Sequence, residues 1–274
     1  MKIHTKKLVI MKKIFAIICA AALFAVACEK EDSDSTPENP INPSDTTQVD
    51  PSTEVFIPNA VTDIDGNSYD AVRIGNQVWM VSNLRTTHFP NGDEIPGYST
   101  PSNTEPYCVV GLNDVVTHGL LYNWPAVMHG AGSSDAVPSG VQGVCPDGWH
   151  VPSHAEWMQL NDYCGSQAEW VCGGQGVEHI AKALASDTLW RASTKVCAVG
   201  NDLTANNSSG FSAMPSGYFI GNGIYGYLDI AGFWSTTDES DTSGIDICLS
   251  SERSYLINDS SDKYAGYSVR CVRD

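Results

Sequence analysis

Three observations predict an α+β domain over residues 55–274. Apolar and β-branched residues come in short alternating bursts, Asp-Gly and Gly-Asn pairs punctuate those bursts, and only two stretches carry helix patterning. Together they give short antiparallel strands with two helices set among them.

The elements follow in chain order. Residues 61–64 and 68–74 flank Asp65-Gly66-Asn67, which supplies the positive-φ turn of a hairpin. Gly75-Asn76 offers a second such turn into a strand over 77–81. Pro152-Ser153-His154-Ala155-Glu156 opens the first helix: Ser153 can accept from the amide of Glu156 while Glu156 reaches back, the capping-box pattern. Trp157, Leu160 and Tyr163 are expected on its inward face. A second helix is expected over 178–185, with Ile180 and Leu184 inward. Strands are then expected over 211–220, 224–228, 232–236, 244–249, 253–257 and 264–272.

Ahead of this domain the composition changes twice. Lys12 and Lys13 precede 13 apolar residues, 14–26, which as a helix reach about 20 Å at roughly 1.5 Å per residue. A bilayer core needs about 30 Å, so residues 1–27 read as a signal peptide, with Met11 an alternative start to Met1. Leu23-Phe-Ala-Val-Ala-Cys28 looks like a lipobox and makes Cys28 the expected lipidation site. Three acyl chains at about 0.8 kcal/mol per buried CH₂ would anchor the chain permanently. Residues 28–54 then read as the lipidated cysteine and a disordered tether, rich in Ser, Thr, Pro, Asp and Asn, with a reach of roughly 25–30 Å.

Five of the fifteen basic residues lie in the first 27, which hold no acidic residue. Ten remain against 32 acidic ones, a net charge of −22 after processing. Such a surface repels phosphate backbones and anionic headgroups, which excludes nucleic acid as a partner and leaves the lipid anchor as the expected membrane contact. Of nine cysteines, seven fall in the domain, none in a C-x-x-C pair or at zinc-finger spacing. In an exported chain disulfides are the expectation, and the odd count leaves at least one free thiol.

Seven motifs carry a family resemblance. Ile74-Gly-Asn-Gln-Val-Trp-Met80, Asn83-Leu-Arg85, Leu121-Tyr-Asn-Trp124, Gly143-Val-Cys-Pro-Asp-Gly-Trp-His-Val-Pro-Ser153, Phe211-Ser-Ala-Met-Pro-Ser-Gly-Tyr218, Phe233-Trp-Ser-Thr236 and Ser268-Val-Arg-Cys-Val-Arg-Asp274 occur in that order. The chain resembles the Fibrobacter succinogenes major paralogous domain over nearly everything after Val61. More distantly, residues 150–157 and 267–271 resemble the formylglycine-generating-enzyme and C-type-lectin-like group. The resemblance implies a C-type-lectin-like fold and a Cys145–Cys271 disulfide, with Cys172–Cys197 the next candidate. Cys108, Cys164 and Cys248 are then expected to hold one further pair and one free thiol. Glu29-Lys30-Glu31-Asp32-Ser33-Asp34 resembles the export signal of Bacteroidetes surface lipoproteins, which implies an outer-membrane anchor facing the cell exterior.

Candidate chemistry is sparse. Gly221-Asn-Gly-Ile-Tyr-Gly226 is a formal G-x-G-x-x-G, but strand and turn patterning follows it where a helix is needed, so a glycine-rich hairpin is expected and no nucleotide. His150 and His154 stand four apart, but His150 precedes the N-cap, so no shared helical face and no metal site is expected. Asp63-Ile-Asp65-Gly66-Asn67 lacks the bidentate Glu of a calcium loop. Glu105-Pro106-Tyr107 and Gln159-Leu-Asn161-Asp162 fall short of lectin calcium motifs. Cys248 stands without the second cysteine that formylglycine-generating enzymes use, so no catalytic residue and no cofactor is assigned.

Trp79, Trp124, Trp149 and Trp234 lie in the motifs and are expected in the core. Exposed aromatics are expected from the stretch 163–207 or the loops 221–227 and 238–243. The leading functional expectation is a cell-surface lipoprotein displaying a non-catalytic binding module for glycan, peptide or a partner protein. A structural subunit of a surface complex is the alternative, and an enzyme of unrecognised type the third.

Overall fold

The computed structural model describes residues 55–111, 114–174 and 179–274, all within one compact unit spanning 49–274. The expected signal peptide, Cys28 and the tether lie outside the described residues, as does residue 178 at the expected start of the second helix. Among the described residues no helix is long and apolar enough to cross a membrane.

In chain order the elements are β1 (Phe56–Thr62), β2 (Ser68–Ile74), β3 (Gln77–Met80), β4 (Cys108–Val109), α1 (Val115–His118), β5 (Leu121–Tyr122), α2 (Trp124–Met128), α3 (His154–Ser166), α4 (Ala181–Leu184), β6 (Tyr218–Ile220), β7 (Gly223–Tyr225), β8 (Ile230–Asp238), β9 (Ser243–Ser250), β10 (Ile257–Asp262) and β11 (Val272–Arg273). They form a four-stranded sheet β1-β2-β3-β11, a three-stranded sheet β10-β9-β8, and two small ribbons, β4-β5 and β6-β7. Each strand pairing is antiparallel. The α+β class holds, with four α-helices among the described residues where two were expected.

Residues 266–273 join these sheets. Gly266 bridges Phe219, Tyr267 bridges Tyr122, Ser268 bridges Phe233, and Val272 bridges His150 while pairing with Trp79. One segment thus meets all four sheets in turn. It does so as isolated bridges, which is why the strand expected over 264–272 shrinks to β11.

The central strand β3 of the four-stranded sheet is buried on both faces. Successive residues of β3 point oppositely, so Val78 and Met80 enter one core with Trp124 and Trp234, while Trp79 enters the other with Trp157, Phe211 and Phe233. Trp79 and Trp157 pack at 4.7 Å between ring centroids. Both are wholly buried; side chains of 150–250 Å² at about 25 cal/mol/Å² each contribute about 4–6 kcal/mol of burial free energy.

The capping box forms as expected: Ser153 Oγ accepts from the Glu156 amide at 3.1 Å, and Glu156 Oε2 accepts from the Ser153 amide at 2.9 Å. The inward face of α3 differs in one residue. Trp157, Leu160 and Cys164 are buried, whereas Tyr163 lies against the tight Gly75 turn, where a Cβ would meet its ring at 2.8 Å. The strand expected over 211–220 reduces to β6, because the carbonyls of Phe211 and Ser212 turn to accept from the Arg270 guanidinium. The strand expected over 253–257 runs instead as β10, a polar edge.

Candidate functional site

A concave surface is built around α2. Asn123 caps that helix, its side-chain oxygen accepting from Ala126 N at 3.2 Å. The same amide donates to the carbonyls of Ser102 and Glu105, at 3.1 and 2.8 Å, and accepts from Tyr107 N. One buried asparagine therefore fixes both the helix start and the 102–107 loop above it.

At the other end of α2, His129 adopts a left-handed conformation and its amide donates to Pro125 O. This turns the imidazole flat onto Phe89, with centroids 3.9 Å apart and planes 6° from parallel. Between the loop and the helix lies a cavity of about 400 Å³, its walls including Phe89, Trp124, Met128 and His129, with Asn103 and Thr104 on the polar side. Asn103 Oδ1 is buried and has no hydrogen-bond partner. Lys263 Nζ stands 4.1 Å from the Trp124 ring centroid and 3.2 Å from Asp238 Oδ2. Two further hollows, about 390 and 540 Å³, lie along the same 94–110 stretch. An aromatic floor with a few amide and hydroxyl groups suits a neutral polar ligand. Sequence reasoning missed Phe89, Asn103 and His129, which sit on loops without periodicity.

The residues singled out from sequence separate widely. Gly221 and Asn222 turn the β6–β7 hairpin, with Gly221 at φ +62°, and no helix follows; the glycine motif is a hairpin, as expected. His154 donates its amide to Thr237 Oγ1 and faces Asn258, whereas His150 Nε2 lies 2.7 Å from Glu156 Oε1. In the 63–67 loop Asp63 accepts from Asn67 and Tyr69. Asp65 accepts from Thr87 and pairs with His88. Both carboxylates are committed to holding the loop.

A family model, the Fibrobacter succinogenes major domain, matches residues 72–273. The chain belongs to this family. No curated protein and no solved structure matches it. In this Fibrobacter succinogenes major domain the motif tryptophans Trp79, Trp124, Trp149 and Trp234 are all buried. Gly143 of the longest motif has φ +56°, and a Cβ there would fall 2.0 Å from Val127 O, so only glycine fits.

The disulfides Cys145–Cys271 and Cys172–Cys197 are both present. The further pair expected among Cys108, Cys164 and Cys248 is not: all three are free, buried thiols. Each is separately embedded, Cys164 in the α3 core and Cys248 on β9, with Cys108 in β4. Burial pushes Cys108 to about 11 and Cys164 to about 12, and Cys248 well above its usual value, which favours the thiol over the thiolate at each. Of the exposed aromatics, Tyr163, Tyr225 and Tyr227 come from the expected stretches, and Phe56 and Tyr255 do not.

Asp246 is buried beside Cys248, whose Sγ lies 3.1 Å from Oδ2, while Oδ1 has no partner. Desolvation raises its pKa. A raised carboxylate contributes stability fully below its unfolded value, about 3.9, and loses it as pH rises through the folded value. Urea-unfolding free energies from pH 4 to 7 should therefore fall more for the wild type than for Asp246→Asn. Parallel profiles would contradict this.

Proposed function

We propose that the chain is a cell-surface lipoprotein displaying a non-catalytic binding module, with a neutral glycan or peptide seated in the cavity between α2 and the 102–107 loop. The observation that carries this reading is the cavity itself: about 400 Å³, floored by Phe89, Trp124 and His129, with Asn103 and Thr104 among its polar lining. The lipobox-like Cys28, the acidic segment behind it and the tether support an outer-membrane anchor facing outward. The motif resemblance and the Cys145–Cys271 link from the helix region to β11 support a C-type-lectin-like fold.

The alternative, a subunit of an assembly, would use an open sheet edge. β10 is such an edge, but Asp259 and Asp262 lie on it, and edge charges oppose strand addition.

A glycan and surface-protein array probed with the protein, with and without calcium, should return a ligand. Its affinity should fall at least tenfold in His129→Asn, which keeps the left-handed backbone and removes the ring. Unchanged binding by that variant would move the site elsewhere, and no ligand at all with assembly into larger complexes would favour the subunit reading.

A further inference from the structure

We propose a divalent transition-metal site, of zinc chemistry, formed by His150, Glu156 and Asp274. One nitrogen and two carboxylate oxygens from these residues all lie within 4.8 Å of one another. They come from three places in the fold. Glu156 is in the first turn of α3, His150 is in the segment leading to that helix, and Asp274 follows β11.

The backbone holds them in register. His150 donates to Val272 O at 2.9 Å and accepts from Val272 N at 3.0 Å, so the imidazole and the Asp274 side chain project from paired strands two residues apart. Glu156 is fully buried. Its Oε2 is used by the amides of Ser139 and Ser153, at 3.1 and 2.9 Å, which leaves Oε1 toward His150.

The second observation concerns Asp274. It is exposed and makes no ion pair among the described residues, although it stands beside an imidazole. Its neighbour Arg273 does not neutralise it, because that guanidinium lies 5.0 Å over the Trp149 ring. Asp274 is therefore too far for a direct hydrogen bond to His150, yet close enough to share one ion with it. Metal–ligand bonds of about 2.0–2.2 Å place two donors on a tetrahedral zinc about 3.4 Å apart. The His150–Glu156 separation of 2.7 Å has to widen slightly and the Asp274 carboxylate has to close in. Two carboxylates face at most one positive charge, and a dication corrects that imbalance. One imidazole with two carboxylates suits zinc better than calcium, which takes six to eight oxygens. Exposure on the Asp274 side leaves a fourth position for water.

An ion here would clasp the last strand to the start of α3. Isothermal titration of the purified, untagged protein with zinc chloride should show one saturable site. Zinc should raise the melting temperature by several degrees, reversibly with EDTA, and calcium chloride should not. Asp274→Asn removes an exposed group and should weaken zinc at least tenfold without altering the metal-free melting temperature. His150→Gln, which can still donate to Glu156, should do the same. Absence of saturable uptake, uptake that both variants retain, or a response to calcium instead of zinc would each overturn the site.

Discussion

Arg270→Met is expected to destabilise the domain by about 3–5 kcal/mol, the range for breaking a buried charged network. Arg270 is wholly buried. Its Nε donates to Asn83 Oδ1 at 2.8 Å, Nη1 to the carbonyls of Met80 and Phe211 at 2.9 and 2.6 Å, and Nη2 to Ser212 O at 2.8 Å. It makes no ion pair among the described residues, and burial alone draws its pKa down to about 9. The charge is held instead by four acceptors and by the faces of Phe211 and Phe233, at 4.7 and 5.6 Å. Methionine keeps the length and strands all four acceptors, each costing about 1–3 kcal/mol less whatever relaxation recovers. Lysine offers one nitrogen in place of a planar fork, so Arg270→Lys should recover less than half of the loss. Urea denaturation measures both; a loss under 1 kcal/mol for Arg270→Met would show that the network is dispensable.

Removing the Cys145–Cys271 disulfide, as Cys145→Ser with Cys271→Ser, should cost about 5 kcal/mol. The bond closes 126 residues of sequence separation, with Cα atoms 5.8 Å apart. Restricting the unfolded chain over so long a loop is worth more than the 25 residues closed by Cys172–Cys197, about 3.5 kcal/mol in the same model. Against a typical net stability of about 5–15 kcal/mol, the first loss takes a large share of the fold and the second a smaller one. Denaturant midpoints of the two double-serine variants should fall in that order. The reverse order would mean that residual structure in the unfolded chain, not loop length, sets the effect.

What could be read in advance follows from locality. β2, β3, the capping box and the β6–β7 turn depend on neighbouring residues, and each lies where patterning puts it, whereas β1 runs over Phe56–Thr62 and not over 61–64. The two disulfides were reached through motifs at Cys145 and Cys271 and through resemblance at Cys172 and Cys197. Arg270 reads as one of three charged residues in its motif, and nothing nearby in sequence shows that it converts residues 211–212 from strand into acceptors. β10 was displaced because Asn258-Asp-Ser-Ser-Asp262 has the composition of a turn, and only pairing with β9 makes it a strand. The cavity was invisible for the same reason: the Phe89–His129 stack spans forty residues, and neither residue carries a period. Asp274 shares a site with His150 only through the bridge at Val272.

The segment 266–273 also has a temporal consequence. It is synthesised after every strand it joins, so a chain emerging amino-terminus first holds four incomplete sheets until this stretch arrives. The earlier hairpins can form and melt locally, but the pairings that lock them span up to roughly two hundred residues, and such non-local closure is slow. The Cys145 thiol likewise waits for Cys271. This late segment supplies both the keystone strand and the sulfur that fastens it.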